Sequence, residues 1–334
     1  MQRMKPGFSL RGLALAVAIC TVASAAPVEA QTADAIQRLT IVVPYAETGP
    51  TAKLARALAP QFGRALGRDV SLAFRGGAGG TLATAEVAAS RDTSGNTLLL
   101  HNTGMASAPT LYRHLSYDPQ RDFVPIGRAG DGPMVLLTRA GIEPRSAREL
   151  WSYIRSNKDT LALAYGGAGS AGQLCGLLLE RVLGVRLFWV PFTGTGPALQ
   201  DLVAGRSDLL CDQTIHTLDP IRDGRVRAFV VTDGQRIAVQ PDIPTSAEGG
   251  LADLQVTVWH GLFAPKGTPA SVVTKLSEAL KSAVTSPEYI AQMRAVGVNP
   301  ATALEATPNA LSRLLASEIA RWKPLIVASG QFAD

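Results

Sequence analysis

The sequence predicts an α/β protein with open, largely parallel sheets divided between two lobes. Short apolar runs rich in β-branched residues alternate with segments of helical periodicity, and glycine-rich turns lie between them. The chain of 334 residues is long enough for two domains, and its hydrophobic fraction of 46% is sufficient for two sizeable cores. Sheets of this kind bind ligands outside the carboxyl ends of their strands.

Residues 1–30 are expected to form a secretory signal peptide. Three basic residues precede an apolar run over residues 12–26, which is too short for a membrane span, and small residues follow up to Ala30. We expect cleavage near Ala30, with Ala26 as the other candidate, and therefore a periplasmic protein. The nearly balanced charge and the lack of a basic cluster interleaved with aromatic residues predict no nucleic-acid partner.

The mature chain is expected to begin with three strands, each followed by a turn. The strands are predicted over residues 39–43, 70–74 and 97–101, with helices from about Thr51 and Thr81 and a loop over residues 102–109. A stretch with glycine and proline at residues 130–133 separates two further short strands. The chain is expected to pass between lobes there.

The rest of the chain repeats this pattern and then becomes helical. Ser146 and Glu149 form a capping box for a helix through Ile154. Further strands are expected up to Tyr165 and within residues 186–192, 207–213 and 225–234. Pairs of threonine or serine with proline, which begin at residues 268, 286 and 307, offer N-caps for three closing helices.

Five glycine-containing turns follow predicted strands, at residues 45–50, 75–80, 101–104, 165–170 and 192–197. One such turn alone is equally well explained as a pivot from strand to helix, because glycine adopts backbone angles that other residues avoid. Several such turns in parallel sheets would gather at one edge. Backbone N–H groups and helix N-termini there would bind a small carboxylate without lysine or arginine.

Two enzyme motifs overlap one of these turns. Gly167, Gly169 and Gly172 have the spacing of a dinucleotide-binding fingerprint, but the acidic residue expected about 20 positions later is missing. Ser170 lies in a sequence close to the nucleophile elbow of α/β-hydrolases, although Ala168 stands in the place of the first glycine. Asp212, His216 and His260 follow it, which allows the permitted order Ser, Asp, His. An exported serine hydrolase that uses Ser170 is therefore the alternative function.

The two cysteines of the mature chain, Cys175 and Cys211, stand in an apolar helix and an apolar strand. Free buried cysteines are common in such contexts, but an exported protein can also form disulfides. The sequence leaves this question open. No spacing of cysteine and histidine predicts a metal site, and we expect no cofactor.

Residues 39–329 resemble the solute-binding receptors of tripartite tricarboxylate transporters, also called the Bug family. The resemblance is carried by several ordered stretches, among them IVVPYAETGPTAKLARALAP, GGAGGTLATAEVA, YGGAGSAGQL, VPFTGTGPALQDLVAGRSDLLCDQ and WHGLFAPKGTP. It implies a type II periplasmic-binding-protein (Venus-flytrap) fold, with two open α/β sheets joined by a hinge. The first lobe would comprise residues 37–131 and 256–334, and the second lobe residues 132–255.

The resemblance also implies a function without catalysis. A monomeric receptor would capture an organic acid or related metabolite between its lobes and deliver it to membrane subunits of the transporter, or signal its presence. The implied ligand-binding residues of the first lobe are Tyr45, Glu47, Thr48, Gly49, Gly79, Gly80, Asn102, Thr103 and Trp259. Those of the second lobe are Gly166, Gly169, Ser170, Thr193, Gly194 and Asp212.

Glu47 departs from the family pattern, which has a small residue at this position. It adds a negative charge at a mouth expected to receive anions, and two like charges about 4 Å apart repel by about 1 kcal/mol in water and by more in a partly closed cleft. Glu47 therefore either points away or selects against dicarboxylates. The second alternative predicts a ligand with at most one carboxylate facing the second lobe and with an amine or neutral ring near Glu47.

Overall fold

Ten strands and ten α-helices alternate along residues 38–334, the part of the chain that the computed structural model describes. The predicted signal peptide lies outside these residues. The strands are β1 Leu39–Val43, β2 Val70–Phe74, β3 Thr97–Asn102, β4 Phe123–Arg139, β5 Ala162–Tyr165, β6 Phe188–Pro191, β7 Leu209–Gln213, β8 Val226–Val231, β9 Thr257–Pro265 and β10 Asn299–Pro300. The helices are α1 Pro50–Leu66, α2 Thr81–Ala88, α3 Gly104–Leu111, α4 Ala147–Asn157, α5 Ala171–Leu183, α6 Thr195–Val203, α7 Thr214–Arg222, α8 Ala270–Val284, α9 Pro287–Ala295 and α10 Pro308–Ser329.

The first sheet has the strand order β2-β1-β3-β9-β4, and β10 pairs with β4. β1 runs parallel to both β2 and β3, whereas β9 is antiparallel to β3 and β4. Alternate residues of β1 are buried against α1, where Leu54, Leu58 and Phe62 form a stripe at helical spacing. This packing fixes the turn between β1 and α1.

The second sheet contains β8, the last part of β4, β7, β5 and β6. β5 is parallel to β6 and β7, whereas β4 is antiparallel to β7 and β8. The prediction of largely parallel sheets is therefore correct for the pairs among β1, β2 and β3 and among β5, β6 and β7, and wrong for β4, β8 and β9, whose pairs are all antiparallel. The central strands run in opposite directions because β4 enters the second sheet and β9 returns from it.

β4 is one strand of 17 residues and not the two short strands predicted from its glycines and proline. Two register shifts against β9 absorb the irregular stretch without breaking the strand. Pro133 forms the last pair with β9, and Met134 forms the first pair with β7. The strand thus changes partners at the stretch where a passage between lobes is predicted. The lobe boundaries at residues 131 and 256 remain predictions.

Helix α3 occupies most of the segment predicted to be a loop. Its small residues Ala106, Ser107 and Ala108 are buried, and α3 lies against α10. Small side chains let two helices approach closely, but they give a weak hydrophobic pattern in the sequence. The three closing helices α8, α9 and α10 form where predicted, and Ser286 and Thr307 cap α9 and α10. The predicted cap at Thr268 is wrong, because Pro269 is the N-cap of α8 and Thr268 Oγ1 donates to the Pro265 carbonyl instead.

Cys175 in α5 and Cys211 in β7 form a disulfide with their Cα atoms 6.2 Å apart. Both residues are buried, so the bond fastens α5 to the second sheet from within the core. This answers the question that the sequence left open.

Helix α10 contacts α3, β4 and α5, and its Trp322 is buried in a core that includes residues of both sheets. Beyond α10, Ala333 forms a parallel bridge with Tyr112. The chain end is thereby held beside α3. In residues 38–334 no helix is long and apolar enough to cross a membrane.

Candidate functional site

Turns from both sheets surround one cavity of about 230 Å³. The first sheet contributes the turns after β1 and β2 and the last residue of β3, and the second sheet contributes the turns after β5 and β6 and the last two residues of β7. Parallel strands bring their carboxyl ends to one edge, which explains why turns distant in sequence meet here. Pockets for drug-sized ligands measure about 300–1,000 Å³, so this volume suits a smaller metabolite.

Ten of the fifteen predicted ligand-binding residues line the cavity. They are Tyr45, Gly49, Gly79, Gly80, Asn102, Gly166, Ser170, Thr193, Gly194 and Asp212. The other five, Glu47, Thr48, Thr103, Gly169 and Trp259, do not line it. Whether any of the fifteen contacts a ligand remains a prediction.

The turns of the two sheets touch across the cavity. The Tyr112 hydroxyl lies 2.7 Å from the Ala78 carbonyl oxygen and 3.1 Å from that of Ala168, so it can donate to either sheet's turn. Gly79 has a φ of +63°, and a Cβ added there would lie 2.1 Å from the Ala168 oxygen. Only glycine permits this approach.

Three helices, α1, α5 and α6, have first-turn residues among those that line the cavity. Each of these helix N-termini carries unpaired N–H groups and a partial positive charge, which together attract anions. No lysine or arginine is among the cavity-lining residues of the described chain. Attraction for a carboxylate would therefore come from the backbone.

A buried hydrogen-bond network holds the first-sheet wall. The Tyr45 hydroxyl donates to Asn102 Oδ1 over 2.7 Å, and Asn102 Nδ2 donates to Thr51 Oγ1 over 3.0 Å. Burial raises the pKa of Tyr45 well above its ordinary value, so its hydroxyl stays neutral. Burial also lowers the pKa of His101 to about 4 and that of His260 to about 3, which keeps both imidazoles uncharged near pH 7.

Asp212 is the one acidic side chain among the cavity-lining residues described here. Its Oδ1 accepts from the Gln213 backbone N–H over 2.7 Å, and its Oδ2 accepts from His216 Nδ1 over 2.5 Å. Burial raises the pKa of Asp212, while the hydrogen bond from His216 lowers it. A carboxylate has about four acceptor sites, so two remain after these bonds.

Several cavity-lining residues were not predicted, among them Thr51, Met134, Phe192 and Gln213. Gln213 and Thr51 could have been predicted from the sequence to line the cavity, because each is polar and lies where a strand ends or a helix begins. Met134 and Phe192 had none, since apolar residues at strand ends are as often part of a core.

The predicted residues outside the cavity have other surroundings. The Glu47 side chain is exposed, and its Oε1 lies 2.8 Å from Arg56 Nη2. Of the two alternatives drawn from the sequence, this geometry corresponds to the one in which Glu47 points away. Thr103 and Trp259 are buried, and Thr103 Oγ1 and Trp259 Nε1 have no hydrogen-bond partner.

Ser170 is the N-cap of α5, and its Oγ accepts from the Gln173 N–H over 3.2 Å. Within residues 38–334 its hydroxyl has no hydrogen bond to a histidine, which the hydrolase alternative requires for a general base. The same part of the chain has no group of three His, Cys, Asp or Glu residues placed to hold a metal ion.

Residues 54–331 match the model of the TctC family, described as the tripartite tricarboxylate transporter family receptor. The chain belongs to this family. Among curated proteins, this receptor-family chain is 39% identical to a UPF0065 protein from the TAR-I ttuE-ttuC' intergenic region of Agrobacterium vitis, over 94% of this chain and 91% of that one.

Two solved structures confirm the fold of this TctC-family chain. The periplasmic binding protein BugD is 38% identical, with a TM-score of 0.83 over 89% of this chain and 99% of its own. MatC from Rhodopseudomonas palustris, with bound malate, is also 38% identical, with a TM-score of 0.82 over 86% of this chain and 99% of its own. The chain has the two-lobed periplasmic-binding-protein fold, and the predicted family resemblance is confirmed.

Proposed function

We propose that this protein is a periplasmic receptor that captures a small carboxylate in the cavity between its sheets. The observation that carries the proposal is the convergence of three helix N-termini on one small cavity whose lining has no cationic side chain. Such a site neutralises a carboxylate with backbone dipoles. The bound malate of the related MatC supports the same ligand class.

The proposed mechanism is closure of two lobes, comprising residues 37–131 with 256–334 and residues 132–255. Contacts such as those of Tyr112 with both turns exist only when the turns meet. A ligand that touches both turns favours this arrangement and shifts the population toward it. The ten cavity-lining residues named above are the proposed ligand contacts.

The finer parts of the proposal concern export and partners. The signal peptide would be removed near Ala30, and the monomeric receptor would deliver its ligand to the membrane subunits of a tripartite tricarboxylate-type transporter or report its presence to a signalling pathway. Membership of the receptor family supports this role. We propose no catalytic activity, because Ser170 acts as a helix cap.

A ligand screen tests the proposal. The protein purified from the periplasm is heated with four- to six-carbon dicarboxylates and with citrate, and hits are measured by isothermal titration. A carboxylate at 100 times its Kd should add about 2.7 kcal/mol to the free energy of unfolding. The neutral diamide of each hit is the matched control and should not bind. Stabilisation by no carboxylate would overturn the proposal.

The hydrolase alternative is tested separately with activated esters. We expect no ester cleavage that is lost in Ser170→Ala, and we expect the variant to stay folded. Ester cleavage by the wild type that disappears in the variant would instead support a nucleophilic serine.

A further inference from the structure

The last residues of the chain are fastened to the end of helix α3. Gly330 ends α10 with a φ of +69°, which redirects the chain away from the helix axis. Beyond it, the Ala333 N–H donates to the Leu111 carbonyl over 2.9 Å, and the Arg113 N–H donates to the Ala333 carbonyl over 3.0 Å. We call residues 331–334 the C-terminal segment.

A side chain of the C-terminal segment reaches helix α5. The Gln331 Oε1 atom lies 3.3 Å from Gln173 Nε2, and Gln173 Oε1 accepts from the Gly169 N–H over 2.8 Å. Because a backbone N–H can only donate, the Gln173 amide must present its oxygen to Gly169, and its nitrogen then donates to Gln331. Gln173 lies in the first turn of α5 and is only 3% exposed. One buried amide thus links the C-terminal segment to the turn after β5, residues 166–170.

The turn after β5 lies beside the same end of α3. A Cβ added at Gly169 would be 3.4 Å from Leu111 Cδ2 and 3.5 Å from Tyr112 Cε2. The C-terminal segment is therefore bonded to both partners of this contact, to α3 through Ala333 and to the turn through Gln173. α3 belongs to the predicted first lobe and the turn to the predicted second lobe. If the turn moves away from α3 while the segment stays on α3, the hydrogen bond between Gln173 and Gln331 breaks.

We propose that the C-terminal segment is a latch that holds the turn after β5 against α3. Gln331 is a positioning residue in this arrangement, since it acts through Gln173 and does not itself line the cavity. The inference rests on the proposed receptor function, because four of the five residues of the turn line the cavity. A receptor whose latch is weakened should populate an open arrangement more often and hold its ligand less tightly.

Hydrogen exchange of the ligand-free protein tests the latch directly. Gln331→Met removes the acceptor and nearly keeps the size of the side chain, whereas Gln331→Glu keeps an acceptor. Peptides that cover residues 165–174 should exchange about 2- to 10-fold faster in Gln331→Met than in the wild type, the range for one lost neutral hydrogen bond. Gln331→Glu should exchange at the wild-type rate. A chain that ends at Gly330 loses the bonds of Ala333 as well and should exchange fastest.

Ligand affinity is measured by isothermal titration with whichever of succinate, malate, adipate and citrate binds the wild type most tightly. The Kd should rise about 2- to 10-fold in Gln331→Met and stay near the wild-type value in Gln331→Glu.

Two controls separate the latch from a loss of global stability. Gln240 is also half-buried but does not line the cavity, so Gln240→Met should leave both the exchange of residues 165–174 and the Kd unchanged. Peptides from the buried strand β1 report global opening, and their exchange should be the same in Gln331→Met as in the wild type.

The failures are distinguishable. Unchanged exchange of residues 165–174 in both Gln331→Met and the shortened chain, or an unchanged Kd in both, would overturn the latch while the receptor function stands. Equal changes in Gln331→Met and Gln331→Glu would also overturn it, because the hydrogen bond would not be their cause. Binding of no carboxylate in the wider screen would overturn the receptor function, and the exchange measurement would still decide whether the segment holds the turn.

Discussion

Gly79 is the residue on which contact between the two turns depends most directly. Its φ of +63° is close to the +64° of Gly67. A Cβ added at Gly79 would lie 2.1 Å from the Ala168 oxygen, whereas a Cβ added at Gly67 would meet nothing within 4 Å. Both alanine variants carry the cost of a left-handed backbone, about 1–2 kcal/mol. A comparison of the two alanine variants therefore separates the effect of backbone strain from the effect of impaired closure.

Gly79→Ala should raise the Kd of the tightest ligand at least about 10-fold, because the turns can no longer meet. Gly67→Ala should lose similar stability but keep the wild-type Kd. Isothermal titration and thermal unfolding of both variants provide the check. Equal Kd values for Gly79→Ala and the wild type would show that closure does not need this contact.

Asp131 in β4 is a half-buried acid next to the strand's change of partners. Arg128 Nη1 lies 3.2 Å from its Oδ2, while its Oδ1 has no partner. Burial raises the pKa of Asp131 from 3.8 to about 6, although Arg128 lowers it, and Glu305, Asp233 and Glu318 add repulsion. Between pH 3.8 and about 6, the Asp131 carboxyl therefore binds more protons in the folded protein than in the unfolded chain.

The contribution of Asp131 to the free energy of unfolding should accordingly fall as the pH rises from about 4 to 6 and stay constant above. Compared with the wild type, Asp131→Asn should gain relative stability over this range, by at most about 1.4 kcal/mol per pH unit. Urea unfolding at several pH values measures this difference, and the exposed Asp253→Asn is the control. A pH-independent difference for Asp131→Asn would contradict the expectation.

Single residues of the site were predictable only in part. Glycines of the turns are visible in sequence because glycine adopts positive φ at little cost, as at Gly79 and Gly167. Gln213 was missed as a cavity-lining residue although it is polar and lies where β7 ends. The direction of the Glu47 side chain depends on its ion pair with Arg56, in the second turn of α1, and the sequence could offer only alternatives.

Among the secondary-structure elements, the disulfide between α5 and β7 allows a quantitative prediction. The two cysteines are 36 residues apart, and a closed loop of this size stabilises the folded state by about 3–4 kcal/mol in the chain-entropy account. Reduction with dithiothreitol should lower the Tm of the wild type accordingly. The Cys175→Ala/Cys211→Ala double variant should have a low Tm that dithiothreitol does not change. A wild-type Tm insensitive to complete reduction would refute the estimate.

Elements with a strong periodic pattern were predicted well, and those without one were not. The apolar stripe of α1 and the caps of α9 and α10 are local signals, and the structure has these helices where expected. β4 was predicted as two strands because glycine and proline usually end a strand. Its continuity comes from partners on both sides, which local sequence does not encode.

At the scale of the whole molecule, the two sheets share both a strand and a core. β4 pairs within each sheet, and one hydrophobic cluster includes Leu99 of the first sheet, Leu163 of the second and Trp322 of α10. We therefore expect residues 38–334 to unfold in one transition, with equal calorimetric and van't Hoff enthalpies. Two resolved calorimetric peaks would show that the lobes are independent.

The position of the chain end has a practical consequence. Ala333 is hydrogen-bonded on both sides to the backbone around Tyr112, with its N–H donating to Leu111 and its carbonyl accepting from Arg113. The Tyr112 hydroxyl in turn lies within hydrogen-bond distance of Ala78 and Ala168, in the two turns that are proposed to meet when the lobes close. An affinity tag or fluorescent reporter fused after Asp334 would be attached next to Ala333 and therefore close to this tyrosine, so such fusions should be cleaved off before any affinity is measured.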